Sequence, residues 1–146
     1  MHEIKQISSV QNTLVKKILL LKEKSRERKK TGLFVIEGQR EIELALKGGY
    51  EIETVLFQKD LFDLNATYTL FENSKLTPDY IEVTKDVYQK LAYRQTTEGV
   101  LAIAKSKPTL LEKLKLKNKN PLILVAEAPE KYKHRGPVTY CRCCKP

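Results

Sequence analysis

Arg40 stands two residues after a glycine, where an apolar run gives way to an amphipathic one, and that setting suits an anion. The stretch from Gly32 to Leu46 reads GLFVIEGQREIELAL. Leu33 to Ile36 is a short apolar run with a β-branched pair, Val35 and Ile36, and reads as a buried strand. Glu37 and Gly38 stop it. Ile42, Leu44, Ala45 and Leu46 then fall at mixed three- and four-residue spacing, which predicts a helix. A strand that passes into a helix through Glu37, Gly38, Gln39 and Arg40 leaves backbone N–H groups open at the helix start, beside a guanidinium. Such a turn can hold a phosphate. An ordinary strand–helix turn, with glycine supplying a permissive backbone, remains the plain alternative on spacing alone.

Metal and nucleophile chemistry has little footing. His134, Cys141, Cys143 and Cys144 crowd the last thirteen residues, but C-x-C-C is a poor spacing for a closed zinc site. No metal site and no catalytic residue is expected in this chain.

Charge is more telling. The net charge of +9 over 146 residues is unevenly spread. Residues 1–31 hold nine Lys/Arg against three Asp/Glu, and residues 32–104 hold seven against twelve. Residues 105–120 return to six against one, and residues 132–146 hold four basic residues and no acidic one. Basic segments flanking an acidic body are the footprint of a polyanion partner, and nucleic acid fits better than a membrane because no strongly apolar helix face accompanies the charge. No run reaches the ~20 apolar residues of a bilayer span, and the N-terminus lacks a signal-peptide layout, so a cytoplasmic location is expected.

The elements that would position these groups follow in order. Ser8 or Ser9 can cap a helix running to about Arg26, with Val10, Leu14, Ile18 and Leu21 on its inner face, widened by Val15 and Leu19. Lys16, Lys17, Lys22 and Lys24 border the rest of it, and Arg26, Arg28, Lys29 and Lys30 lead to a break at Thr31-Gly32. Gln11 and Asn12 near its start can hydrogen-bond a base or a phosphate. Further strands are expected at Ile52–Phe57, Tyr80–Val83 and Gly99–Ala104. Tyr68–Asn73 reads equally as strand or helix. Thr84 should cap a helix over Lys85–Tyr93, with Asp86 in its first turn. Strands alternating with helices predict an α/β sandwich around a small sheet. Lys105–Asn120 reads as a linker, and Pro121–Glu127 opens a further apolar strand.

Several of these pieces together resemble the SpoU/TrmH family of RNA 2′-O-ribose methyltransferases. SSVQNTLVKKILLL resembles that family's first helix, GLFVIEGQREIELAL its F-x-x-EG-x-R element, and TTEGVLAIA its TPQG-x-LA strand, with Thr97 and Glu98 where Pro and Gln are common. PLILVAEAPEK resembles the opening of the family's knotted, S-adenosylmethionine-binding domain. The match spans residues 1–131 in order.

The resemblance implies a three-layer α/β/α sandwich around a small mixed sheet for residues 1–106, like kink-turn-binding ribosomal proteins, serving as an RNA substrate-binding domain. It implies a linker over 107–120 and the first strand of an incomplete methyltransferase domain over 121–131. Structured RNA, ribosomal or transfer, would be the partner. The RNA-facing residues would be Gln11, Asn12, Lys16, Lys17, Arg28, Lys29, Glu37, Gly38, Arg40, Arg94, Gln95 and Thr96. S-adenosylmethionine and homodimer formation belong, in the family, to the knotted domain, so no cofactor-binding residue is expected in this chain. A stand-alone kink-turn-type RNA-binding module is the alternative.

Residues 132–146, YKHRGPVTYCRCCKP, depart from the family, which there carries N-x-G-x-x-x-R. Back-translating Lys133–Pro146 and shifting the frame by one base permits NIGALLRTADAAN at every position, which restores that motif. A frameshifted reading of a methyltransferase gene is the expectation this raises, with a native basic tail as the other reading.

Overall fold

In the computed structural model the chain divides into two compact units, Met1–Lys107 and Pro108–Pro146. The structure describes residues 4–72, 77–92 and 98–108. The expected linker beyond Pro108, the strand at 121–131 and the tail at 132–146 lie outside those residues.

The first unit runs β1 (Lys5–Ile7), α1 (Thr13–Glu23), α2 (Ser25–Thr31), β2 (Leu33–Glu37), α3 (Gln39–Lys47), β3 (Ile52–Phe57), α4 (Leu64–Phe71), β4 (Asp79–Val83), α5 (Lys85–Leu91) and β5 (Val100–Lys105). The sheet order is β1-β4-β3-β5-β2. β1, β4 and β3 are parallel, whereas β5 runs antiparallel to both β3 and β2. The sheet is therefore mixed, as expected.

Strand alternation sorts the apolar side chains into two cores, one on each face. Leu56, Ile81, Val83, Leu101 and Ile103 face Val15, Ile18 and Leu21 of α1 and Val87, Tyr88 and Leu91 of α5. Val55, Phe57, Tyr80, Val100, Ala102 and Ala104 face Ile42 and Ala45 of α3 and Phe71 of α4. Ile52 joins the second core although its parity points to the first. A register shift between Ile52 and Thr54 opposite β5 turns it over. Burial, and after it the neighbouring Tyr68, raise the Tyr80 phenol above its ordinary pKa.

Three local readings need correction. Ser8 and Ser9 do not cap α1. The cap is Asn12, whose Oδ1 accepts from the Leu14 N–H at 2.8 Å. Nor does one helix run to Arg26: Lys24 takes an extended conformation and α2 starts anew at Ser25. β1 has no counterpart in the sequence reading. The ambiguous segment at 68–73 is helical as far as Phe71.

Candidate RNA interface

α1 and α2 carry the cations. The inner face of α1 is buried through Val15, Ile18 and Leu21, which turns Lys16 and Lys17 outward as exposed residues. α2 has no fully buried residue, only the half-buried Glu27 and Arg28, so a buried apolar face is not what holds it. It is held at its ends. Arg28 Nη1 donates to the Leu21 carbonyl at 2.8 Å and the Lys22 carbonyl at 3.1 Å, satisfying orphan groups at the end of α1. Gly32 closes the helix in the left-handed region at φ 67°, and its carbonyl accepts from the Ser106 N–H at 2.7 Å.

The outcome is a ridge in which Lys16, Lys17, Lys24, Arg26, Lys29 and Lys30 are all exposed. None of them forms a salt bridge with a described acidic residue. By contrast Lys59 pairs with Glu82 at 3.5 Å, and Lys105 with Glu51 at 2.5 Å. The Glu51 hydrogen bond is the largest cause raising the Lys105 pKa above its ordinary value.

Lys22 differs from its neighbours on α1. Its ammonium meets Glu37 Oε2 at 3.2 Å and donates to the Leu91 carbonyl, so it ties the end of α1 to the end of β2 and the last turn of α5. Lys22 and Arg28 thus serve the frame, one bracing three elements and the other capping a helix. Sequence spacing alone shows both as members of a solvated cationic face.

The turn at residues 37–40 is built differently from its expected form. Gly38 sits at φ 102° and ψ 147°, a conformation open to glycine only, while its N–H donates to the Val100 carbonyl at 3.1 Å. The next N–H, of Gln39, is already taken: Glu98 Oε2 accepts from it at 2.5 Å. A carboxylate from just before β5 therefore occupies the place where a phosphate was expected, at the positive end of α3. Glu41 lies in the same first turn. Arg40 is exposed and makes no ion pair with a described residue. Glu98→Ala should lower stability by about 1 kcal/mol, because the Gln39 N–H loses a charged acceptor. Thermal melting checks this, and an unchanged melting temperature would mean that water serves the N–H equally well.

Gln11 is exposed beside the Asn12 cap. Lys16, Lys17 and Lys29 share the α1–α2 ridge, while Glu37, Gly38 and Arg40 share the turn; Lys22–Glu37 joins the two regions. Arg94, Gln95 and Thr96 lie outside the described residues. So does every candidate zinc ligand, and among the described residues no cluster of His, Cys, Asp or Glu could hold a metal ion. Among those residues no helix is long and apolar enough to cross a membrane.

Comparison with known proteins agrees with this architecture. A family model described as the MRM3-like substrate binding domain matches residues 12–102. Among solved structures, an RNA 2′-O ribose methyltransferase is 31% identical at a TM-score of 0.67, over 86% of this chain and 46% of its own. The rRNA methyltransferase from Sinorhizobium meliloti is 21% identical at 0.64, over 77% and 41%. The SpoU methyltransferase AviRb from Streptomyces viridochromogenes, in complex with AdoMet, is 18% identical at 0.61, over 73% and 40%. This chain thus spans less than half the length of the solved proteins it resembles. No curated protein matches it. With the family model running from Asn12, the cap of α1, to Ala102 in the sheet's second-last position, the chain belongs to the MRM3-like substrate binding domain family, whose fold it shares with SpoU-type RNA methyltransferases.

Proposed function

We propose that this domain grips structured RNA for 2′-O-ribose methylation, and that the α1–α2 ridge is its main phosphate contact. One observation carries the reading: six exposed cations on two consecutive helices and the residue that joins them, without a salt-bridge partner among the described residues. Positive charge gathered without ion-pair partners costs self-repulsion unless a polyanion relieves it, and an RNA backbone is such a polyanion. The family membership supports an RNA substrate as the partner. S-adenosylmethionine would supply the methyl group, and by resemblance its site belongs to a knotted domain. The work of these residues is to bind the RNA and hold it while a ribose is presented elsewhere.

The test is binding of the chain to a folded ribosomal RNA fragment across a potassium chloride series. The logarithm of affinity should fall linearly with the logarithm of salt, with a slope near −4 if about five or six phosphates are contacted. Binding that ignores salt would overturn the ridge as the interface.

A further inference from the structure

We propose that a slot at one corner of the sheet, between the first turn of α1 and the amino-terminal ends of β3 and β4, receives an unpaired guanine base of the RNA. The inference rests on the RNA reading above and adds a base-reading site to it. The slot is an open groove of about 640 Å³, room for a nucleoside rather than a lone ring.

Its chemistry comes first from two polar residues that line it. Thr54, the third residue of β3, and Asp79, the first of β4, are cross-strand partners. Strand alternation puts both on the same face as Leu56, Ile81 and Val83, the face that packs against α1 and α5. On that face Thr54 is half-buried and Asp79 exposed, so a hydroxyl and a carboxylate line the open margin of the core. Neither side chain makes a hydrogen bond or salt bridge to another described residue. Asn12 adds a third polar group to the lining. Its Oδ1 is committed to the Leu14 N–H, which fixes the amide so that only the NH₂ is on offer. Ile7, Leu14 and Ile81 complete the slot with apolar walls.

One acceptor carboxylate, one amide donor and apolar walls match the Watson–Crick edge of guanine. Its N1–H and N2–H₂ donate to Asp79, its O6 accepts from Asn12, and its ring faces lie on the aliphatic walls. Adenine fits worse, because its N1 lone pair would meet the Asp79 carboxylate. Lys5, exposed at the rim, stands where an attached phosphate would pass.

The experiment is a titration of the ¹⁵N-labelled chain with guanosine 5′-monophosphate and, separately, adenosine 5′-monophosphate. Guanosine monophosphate should move the amide signals of Asn12, Leu14, Thr54, Asp79 and Ile81, and adenosine monophosphate should bind about tenfold or more weakly there. Asp79→Asn should remove the preference. Asn12→Asp keeps a good helix cap while exchanging the donor for a carboxylate, so circular dichroism should be unchanged and guanosine monophosphate binding lost. Equal responses to the two nucleotides, or shifts confined to the α1–α2 lysines, would overturn the slot. Salt-dependent RNA binding with a silent slot overturns this proposal alone. A guanine-responsive slot without RNA binding overturns the RNA reading and leaves a nucleotide site.

Discussion

Gly99→Ala is expected to destabilise the domain by about 2–5 kcal/mol, a large share of the roughly 5–15 kcal/mol that holds a domain together. Two separate costs add. Gly99 lies at φ 78°, and a Cβ there would stand 2.5 Å from Leu61 Cβ and 3.0 Å from both the Leu61 carbonyl carbon and the Phe62 nitrogen. Two of those atoms are backbone and cannot swing away. The turn they form is itself fastened, since the Leu61 and Phe62 N–H groups donate to the Gln58 carbonyl and the Gln58 N–H donates to Gly99. Gly32→Ala is the matched control. It has a similar φ of 67° but meets only Ser106 Oγ at 3.8 Å, so it should cost about 1–2 kcal/mol through backbone strain alone. Urea denaturation of both variants separates the terms, and equal midpoints would show that the Leu61 turn yields.

Lys16, Lys17, Lys24 and Lys29 replaced together by Ala should weaken RNA binding by about two to three decades near 0.1 M salt. Each phosphate contact contributes roughly 0.7–0.9 to the salt slope, so four lost contacts remove about three units of slope and a comparable number of decades. The fold should survive, because all four side chains are exposed and none is paired with a described acidic residue. Lys105→Ala is the control: its ammonium is held by Glu51 and Glu53, and affinity should stay within a factor of about two. A quadruple variant that binds with the parental slope would move the interface off the ridge.

The four longer strands were legible because each is an apolar run with sharp ends, and the two cores follow from their alternation. β1 was not, since KQI buries only Ile7 and three residues hold no period. The break at Lys24 was hidden by a run of good helix formers, KEKSRERKK, in which nothing local signals a stop. Asn12 was singled out for its polar group, but its role as the cap was assigned to Ser8 or Ser9, because all three are good capping types. At the interface, the outward lysines of α1 could be read from periodicity. Arg28 and Lys22 could not be told apart from them: what they touch is fixed by how α1, α2 and α5 pack. Glu98 reaches Gln39 across 59 positions, and no spacing rule anticipates a helix start filled from so far along the chain.

The order of the strands has a consequence for how the protein comes into being. β5 lies between β3 and β2, yet it is the last of the five to be made. A ribosome delivers the amino-terminal segments first, so β2 leaves the exit tunnel with no sheet partner and must wait through some sixty residues of synthesis for one. The parallel trio β1, β4 and β3 can form meanwhile, with one long edge of β3 open. Val100 to Ala104 are all buried, so the arriving strand has no wet side on which to linger. Nascent chains arrested before residue 105 are thus half-sheets with a sticky margin, and translation itself times the moment of closure.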